Sequence, residues 1–96
     1  MGVRENLVAA RALIDTPEKW GKGDGRKCMC AVDACFAVYD AQAAYALDNA
    51  TPAGFGGGKA KLRPAADFND HPDTTHADIL ALFDRAIAAC TTEQVA

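Results

Sequence analysis

Thr75-His76-Ala77-Asp78-Ile79-Leu80-Ala81-Leu82-Phe83-Asp84-Arg85-Ala86-Ile87-Ala88-Ala89-Cys90 is the stretch whose reading decides the fold. Thr75 stands three residues before Asp78, an imperfect capping box in which aspartate replaces the usual glutamate. Ile79, Leu80, Phe83, Ala86, Ile87 and Cys90 then recur at i, i+1, i+4, i+7, i+8 and i+11. That spacing winds a wide apolar stripe along one helix face, which must be buried against something. Thr91, Thr92 and the tail to Ala96 are predicted to fray.

Working towards the N-terminus, Asp67-Phe68-Asn69-Asp70-His71-Pro72-Asp73 reads as a turn feeding this helix. Asn69 and Asp70 are turn formers through their own side chains, and Phe68 is expected to anchor the turn in the core. Lys59 to Arg63 alternates basic and apolar residues, so a short strand or hairpin near 59–63 is conceivable there, limited by Pro64. Asn49 to Gly58 is rich in turn residues, and a flexible glycine-rich loop is expected over about 52–60. Cys28 to Leu47 is the most apolar segment: one long helix, or two short ones meeting near Asp40. Ala31, Cys35 and Val38 would face inward in either case. Val3, Leu7, Ala10 and Ile14 mark a first helix, and Thr16-Pro17-Glu18 starts a helical turn ending at Trp20. The expectation is a mainly α protein, a compact bundle of three to five helices forming a single domain over 1–96.

Half of the 96 residues are hydrophobic, which is too many for a disordered chain and enough for one core. No run approaches the ~20 apolar residues of a membrane span, and Met1 to Asn6 lacks the pattern of a secretory signal. Asn6 stands where a myristoylation signal needs serine or threonine. A soluble, cytoplasmic chain without a membrane partner is the expectation. The apolar content is also compatible with a homo-oligomer that buries a helix face.

Four cysteines are the first candidates for chemistry. Cys28, Cys30 and Cys35 are clustered, but Cys30 and Cys35 fall in an apolar run rather than in the turns that carry structural zinc. Buried reduced thiols are the stronger reading, with no metal and no cofactor, and a metal or thiol-redox protein stands as a remote alternative. Cys28, next to Lys27, is the thiol most expected at the surface. A phosphate loop fails because Ala53 and Ala60 occupy its first glycine and its hydroxyl position, and Lys59 breaks a dinucleotide fingerprint after Gly54 and Gly56. A calcium loop fails at His71 and Pro72. No catalytic set of nucleophile, base and orienting group is visible.

The net charge of −3 hides an uneven layout. Lys19, Lys22, Arg26 and Lys27 form one basic cluster, Lys59, Lys61 and Arg63 a second, and Asp73, Asp78 and Asp84 lie towards the acidic end of the chain. Either sign could supply a binding surface. Trp20, the sole tryptophan, is read as a core anchor.

The order Pro17-Glu18-x-Trp20-x-Lys22-Gly23, then Cys28-x-Cys30-Ala31-Val32-x-Ala34, then Phe68-Asn69-Asp70-His71-Pro72-x-Thr74-Thr75 resembles a family of short phage and bacterial proteins of unknown function. The resemblance covers most of the chain apart from its middle, where Gly54 to Gly58 departs from it. Its most specific part is Phe-Asn-Asp-x-Pro-x-Thr-Thr, and the structural positions it implies are Trp20, Cys30, Phe68, Asn69, Asp70 and Thr75. The resemblance implies a small helical fold and a phage or mobile-element connection, without an activity. By analogy with small phage proteins, the expected function is a non-enzymatic binding module that docks on a host protein complex and inhibits or adjusts it, an anti-CRISPR or other anti-defence inhibitor included. The alternative is a nucleic-acid-binding accessory protein using the basic loops.

Overall fold

Five helices form in the computed structural model, which describes residues 2–21, 29–57 and 63–95, with the last five described by backbone alone. They are α1 (Val3–Leu13), α2 (Ala31–Ala37), α3 (Ala41–Ala50), α4 (Pro64–Asp70) and α5 (His76–Val95). The long α5 lies against α1 and α3, while α2 packs on both of those and α4 covers the α2–α3 pair. The radius of gyration of 12.4 Å is that of a compact chain of this length (~13 Å per 100 residues).

α2, α3, α4 and α5 each begin where the sequence supplies a partner for free N–H groups, whereas α1 starts from Gly2 without a side-chain cap. Thr75 Oγ1 accepts from Asp78 N at 3.2 Å and Asp78 Oδ2 accepts from Thr75 N at 2.9 Å, which completes the expected box. Asp40 decides the question left open for the middle segment. Its carboxylate accepts from Gln42 N at 2.8 Å and Ala43 N at 3.2 Å, so α3 starts afresh there and the segment is two helices. Cys30 caps α2 by accepting from Asp33 N at 3.3 Å, an unusual job for a thiol.

The region between the glycines and α5 differs from the expectation. Pro64 to Asp70 is a helix, not an extended or turn segment. Proline fits the first helical position, and Ala65 N donates to Asp48 Oδ1 of α3 at 3.0 Å, so α4 is capped by another helix. The strand considered near 59–63 lies outside the described residues except for Arg63, which is the N-cap of α4. Residues 16–20 make a single turn, closed by Lys19 N donating to Thr16 O at 3.0 Å, followed by one parallel bridge between Trp20 and Met29. Of the expected flexible loop, residues 52–57 are described: Gly56 donates to Asp67 Oδ2 at 2.7 Å, and the Phe55 ring meets Phe68 edge-on at 5.0 Å. Gly56 has φ +97°, and a Cβ there would lie 3.0 Å from Pro64 Cγ, so a side chain is excluded on both counts. Residues 58–60 of that loop lie outside the described residues, and α5 runs on through the tail expected to fray, as far as Val95.

Small residues dominate the core. Ala10, Ala31, Ala34, Ala43, Ala44 and Ala65 are fully enclosed, which lets the helices approach closely around Phe83, Leu7, Ile14 and Leu47. On α5 the buried stripe runs through Ile79, Leu82, Phe83, Ala86 and Cys90, with Leu80 and Ile87 at its margins. Ala31 and Cys35 face inward as expected, and Val38 packs at the core's edge. No helix among the described residues is long and apolar enough to cross a membrane.

Candidate functional site

Of the polar residues singled out in the sequence, Asn69 turns inward on the fold. Asn69 is wholly buried and uses both ends of its amide: Oδ1 accepts from Trp20 Nε1 at 2.6 Å and Ala31 N at 3.0 Å, while Nδ2 donates to Gly21 O and Asp70 Oδ1, each at 3.1 Å. One side chain thereby ties the Trp20 turn, the start of α2 and the end of α4. This corrects the expectation that Asn69 and Asp70 form turns before Thr75, since both lie in α4. The Trp20 ring lies 5.8 Å from the His76 ring, and His76 Nε2 donates to the terminal α1 carbonyl of Ile14 at 2.7 Å. Trp20, Cys30, Asn69, Asp70 and Thr75 thus each hold a hydrogen bond within this chain.

The charged candidates fare in three ways. Lys22, Arg26, Lys27, Lys59 and Lys61 lie outside the described residues, as does Cys28. Lys19 is exposed and sits 3.2 Å from Asp15. Asp78 is the cap of α5, and Asp84, 62 % exposed, has Arg11 Nε 3.0 Å away. Asp73 is exposed at the turn before α5. The acidic trio thus does not form one free face, since two of its members hold partners on this chain.

The described thiols are held back from reaction. Burial pushes the Cys30 thiol up to about 11 and the Cys35 thiol to about 12, in the second case aided by the neighbouring Asp40 charge. Among the described residues, no three histidine, cysteine or acidic side chains converge as a metal site would require.

Among the described residues, three aromatic side chains, Phe36, Tyr39 and Tyr45, are exposed. α2 ends in a Schellman motif: Tyr39 N donates to Phe36 O at 2.9 Å and Asp40 N to Cys35 O at 3.3 Å. The motif demands a left-handed residue after the cap, where glycine is usual, yet Tyr39 holds it at φ 56°. Its side chain is 97 % exposed, so the ring gives the fold nothing in return. Phe36, whose carbonyl accepts from Tyr39 N, and Tyr45 of α3 are about half exposed. Arg63 reaches between their elements, its guanidinium carbon 5.7 Å from the Phe36 ring and 4.9 Å from the Tyr45 ring. Asp48 fixes the guanidinium through a 2.9 Å bond from Arg63 Nε, in a pair that is largely shielded from water. Among the described members of the basic clusters, Arg63 falls at this corner.

Sequence reading missed this corner because Phe36 and Tyr45 sit in the most apolar segment and were absorbed into it. The available signal was the break at Asp40: two short helices rather than one leave residues one position off the inward face pointing at solvent.

The family model described as "Family of unknown function (DUF6197)" matches residues 1–89. The chain belongs to this family. Searches of the curated proteins and of the solved structures found no match. The DUF6197 match takes in the Asn69 hub, all three exposed aromatics and Arg63.

Proposed function

We propose that this DUF6197 chain is a non-enzymatic protein-binding module that docks on a larger partner through the Phe36–Tyr39–Tyr45 corner. The observation that carries the reading is Tyr39: a bulky residue kept in a conformation that costs about 1–2 kcal/mol, with its ring almost fully in water. Folding alone does not account for such a residue, whereas binding does. Tyrosine and arginine are the side chains that most often anchor protein interfaces, and Arg63 held rigid by Asp48 loses little freedom when a partner covers it. The partner in this reading is a host complex, and the protein is a phage or mobile-element inhibitor or modulator of it, of the anti-defence kind that includes anti-CRISPR proteins.

The test compares the native chain with a Phe36→Ser/Tyr39→Ser double variant as baits in native host lysate, with circular dichroism to confirm equal folding. A stoichiometric partner that the variant loses is the expected result. Equal capture by both baits refutes this surface, and capture of nucleic acid in a salt-sensitive manner instead refutes the protein-binding reading.

A further inference from the structure

α3 and α5 line a cleft of about 360 Å³, to which Val3 of α1 also contributes. That volume falls at the lower end of the range of small-molecule sites, ~300–1,000 Å³. Ala86 and Cys90 are buried and line it from α5, with Ala46 facing them from α3. Neutral amides, Gln42 and Asn49, and the Tyr45 ring also line it, and among the described residues Arg85 is the sole charged side chain there.

Arg85 differs from three other described cations. Arg11, Lys19 and Arg63 each lie within 3.2 Å of a carboxylate. Among the described residues Arg85 has no carboxylate at that range, only a 3.4 Å bond from its Nε to the carbonyl of Ala50 at the end of α3. An exposed guanidinium beside an apolar recess selects one ligand chemistry. A carboxylate takes the planar fork through paired hydrogen bonds, and an attached hydrocarbon displaces water from the alanine surface. A cation is repelled, and a neutral chain forfeits the charge-assisted bonds.

We propose that the α3–α5 cleft binds a small amphipathic carboxylate, its apolar end over Ala46, Ala86 and Cys90 and its anionic end on Arg85. The assignment stands apart from the aromatic corner, although Tyr45 borders both. Octanoate is the probe, with octylammonium and octanol as matched controls, titrated into the isotope-labelled full chain while amide resonances are followed by NMR. The expected result is saturable shifts centred on Ala46, Ala86 and Ala89 with octanoate, at least about tenfold tighter than with either control. Arg85→Gln should weaken octanoate by roughly 10–100-fold. Ala89→Leu, at an exposed position on the cleft wall, should fill the recess and abolish binding. Absence of saturation, equal affinity for octanol or octylammonium, or an Arg85→Gln variant that binds as the native chain does would overturn the proposal. Should Ala89→Leu not fold, the Arg85→Gln titration decides.

Discussion

Exchanging Tyr39 for glycine separates what the fold needs from what a partner would need. In the native chain Tyr39 occupies the left-handed position of the α2 Schellman motif at φ 56°. A side chain there costs about 1–2 kcal/mol relative to the right-handed region, from the clash of Cβ with the following carbonyl. Glycine removes that clash but brings greater freedom in the unfolded chain, which returns roughly 0.5–1 kcal/mol. No contact is lost, because the ring is 97 % exposed. The balance is a gain of about 0.5–1 kcal/mol, or a rise in Tm of roughly 2–8 °C for a domain of this size. Calorimetry reads this directly. Tyr39→Asn should show part of the gain, since asparagine tolerates the left-handed region better than other residues with a Cβ. A Tm that falls by several degrees in the glycine variant would show that the ring supports the fold, and the case for Tyr39 as a docking residue would go with it. A rise in Tm joined to loss of partner capture is the outcome the docking reading requires: stability given up for an exposed ring.

Three further outcomes follow from the polar geometry. Asn69→Ala strands the Trp20 N–H, the Ala31 N–H and the Gly21 carbonyl in or near the core. A loss of about 2–4 kcal/mol in urea unfolding is expected, and a loss under about 1 kcal/mol would mean that water replaces the amide. Asp40, whose carboxyl is held below its ordinary value chiefly by the bond from Asn6 Nδ2 at 2.8 Å, stabilises the fold while ionised. That stabilisation is present above its unfolded value of 3.8 and disappears as pH falls through the lower folded value. Asp40→Asn should therefore flatten the acid limb of the Tm–pH curve, and an unchanged limb would refute the assignment. The Cys30 and Cys35 thiols, raised to about 11 and about 12 by burial, make the opposite prediction at the alkaline end. Below the unfolded value of 9.0 both states keep the protons and stability is unaffected; above it the unfolded chain ionises first, so stability declines up to the folded values. A thiol reagent at pH 8 should modify these cysteines at least about 100-fold more slowly in the native protein than in denaturant, and equal rates would refute their burial.

The elements that could be read from sequence are those whose signals are local. The capping box at Thr75 and the apolar period after it specify α5 without reference to anything else in the chain. α1 is legible in the same way, from Leu7, Ala10 and Ile14. α4 was not, because what makes it a helix is distant: Asp48, on α3, receives the amide of Ala65 and the side chain of Arg63. Asp40 carried its message ambiguously, since an aspartate after an apolar run is equally a solvated face residue or a cap, and only the Schellman closure at Cys35 and Phe36 decides between them. The aromatic corner was hidden for a related reason. Phe36 and Tyr45 have core-like identities, and their exposure follows from the helix break rather than from their own chemistry.

The same economy explains why the charged residues were poor guides to a site. A core built so largely of alanine offers little apolar area per residue, so the short helices depend on polar anchors to stay in place. Asp40 caps α3 and bonds α1 through Asn6; Asp48 caps α4; Asp67 holds Gly56; Asp78 caps α5. Three of these carboxylates, Asp40, Asp48 and Asp67, thus join separate parts of the fold, and a carboxylate accepting two or three such bonds is already committed in geometry and charge. In a protein of this kind the groups available to meet another molecule are those that contribute least to internal connection. By that criterion they are Tyr39, which strains its own turn, and Arg85, which faces an apolar recess with no described carboxylate to balance it.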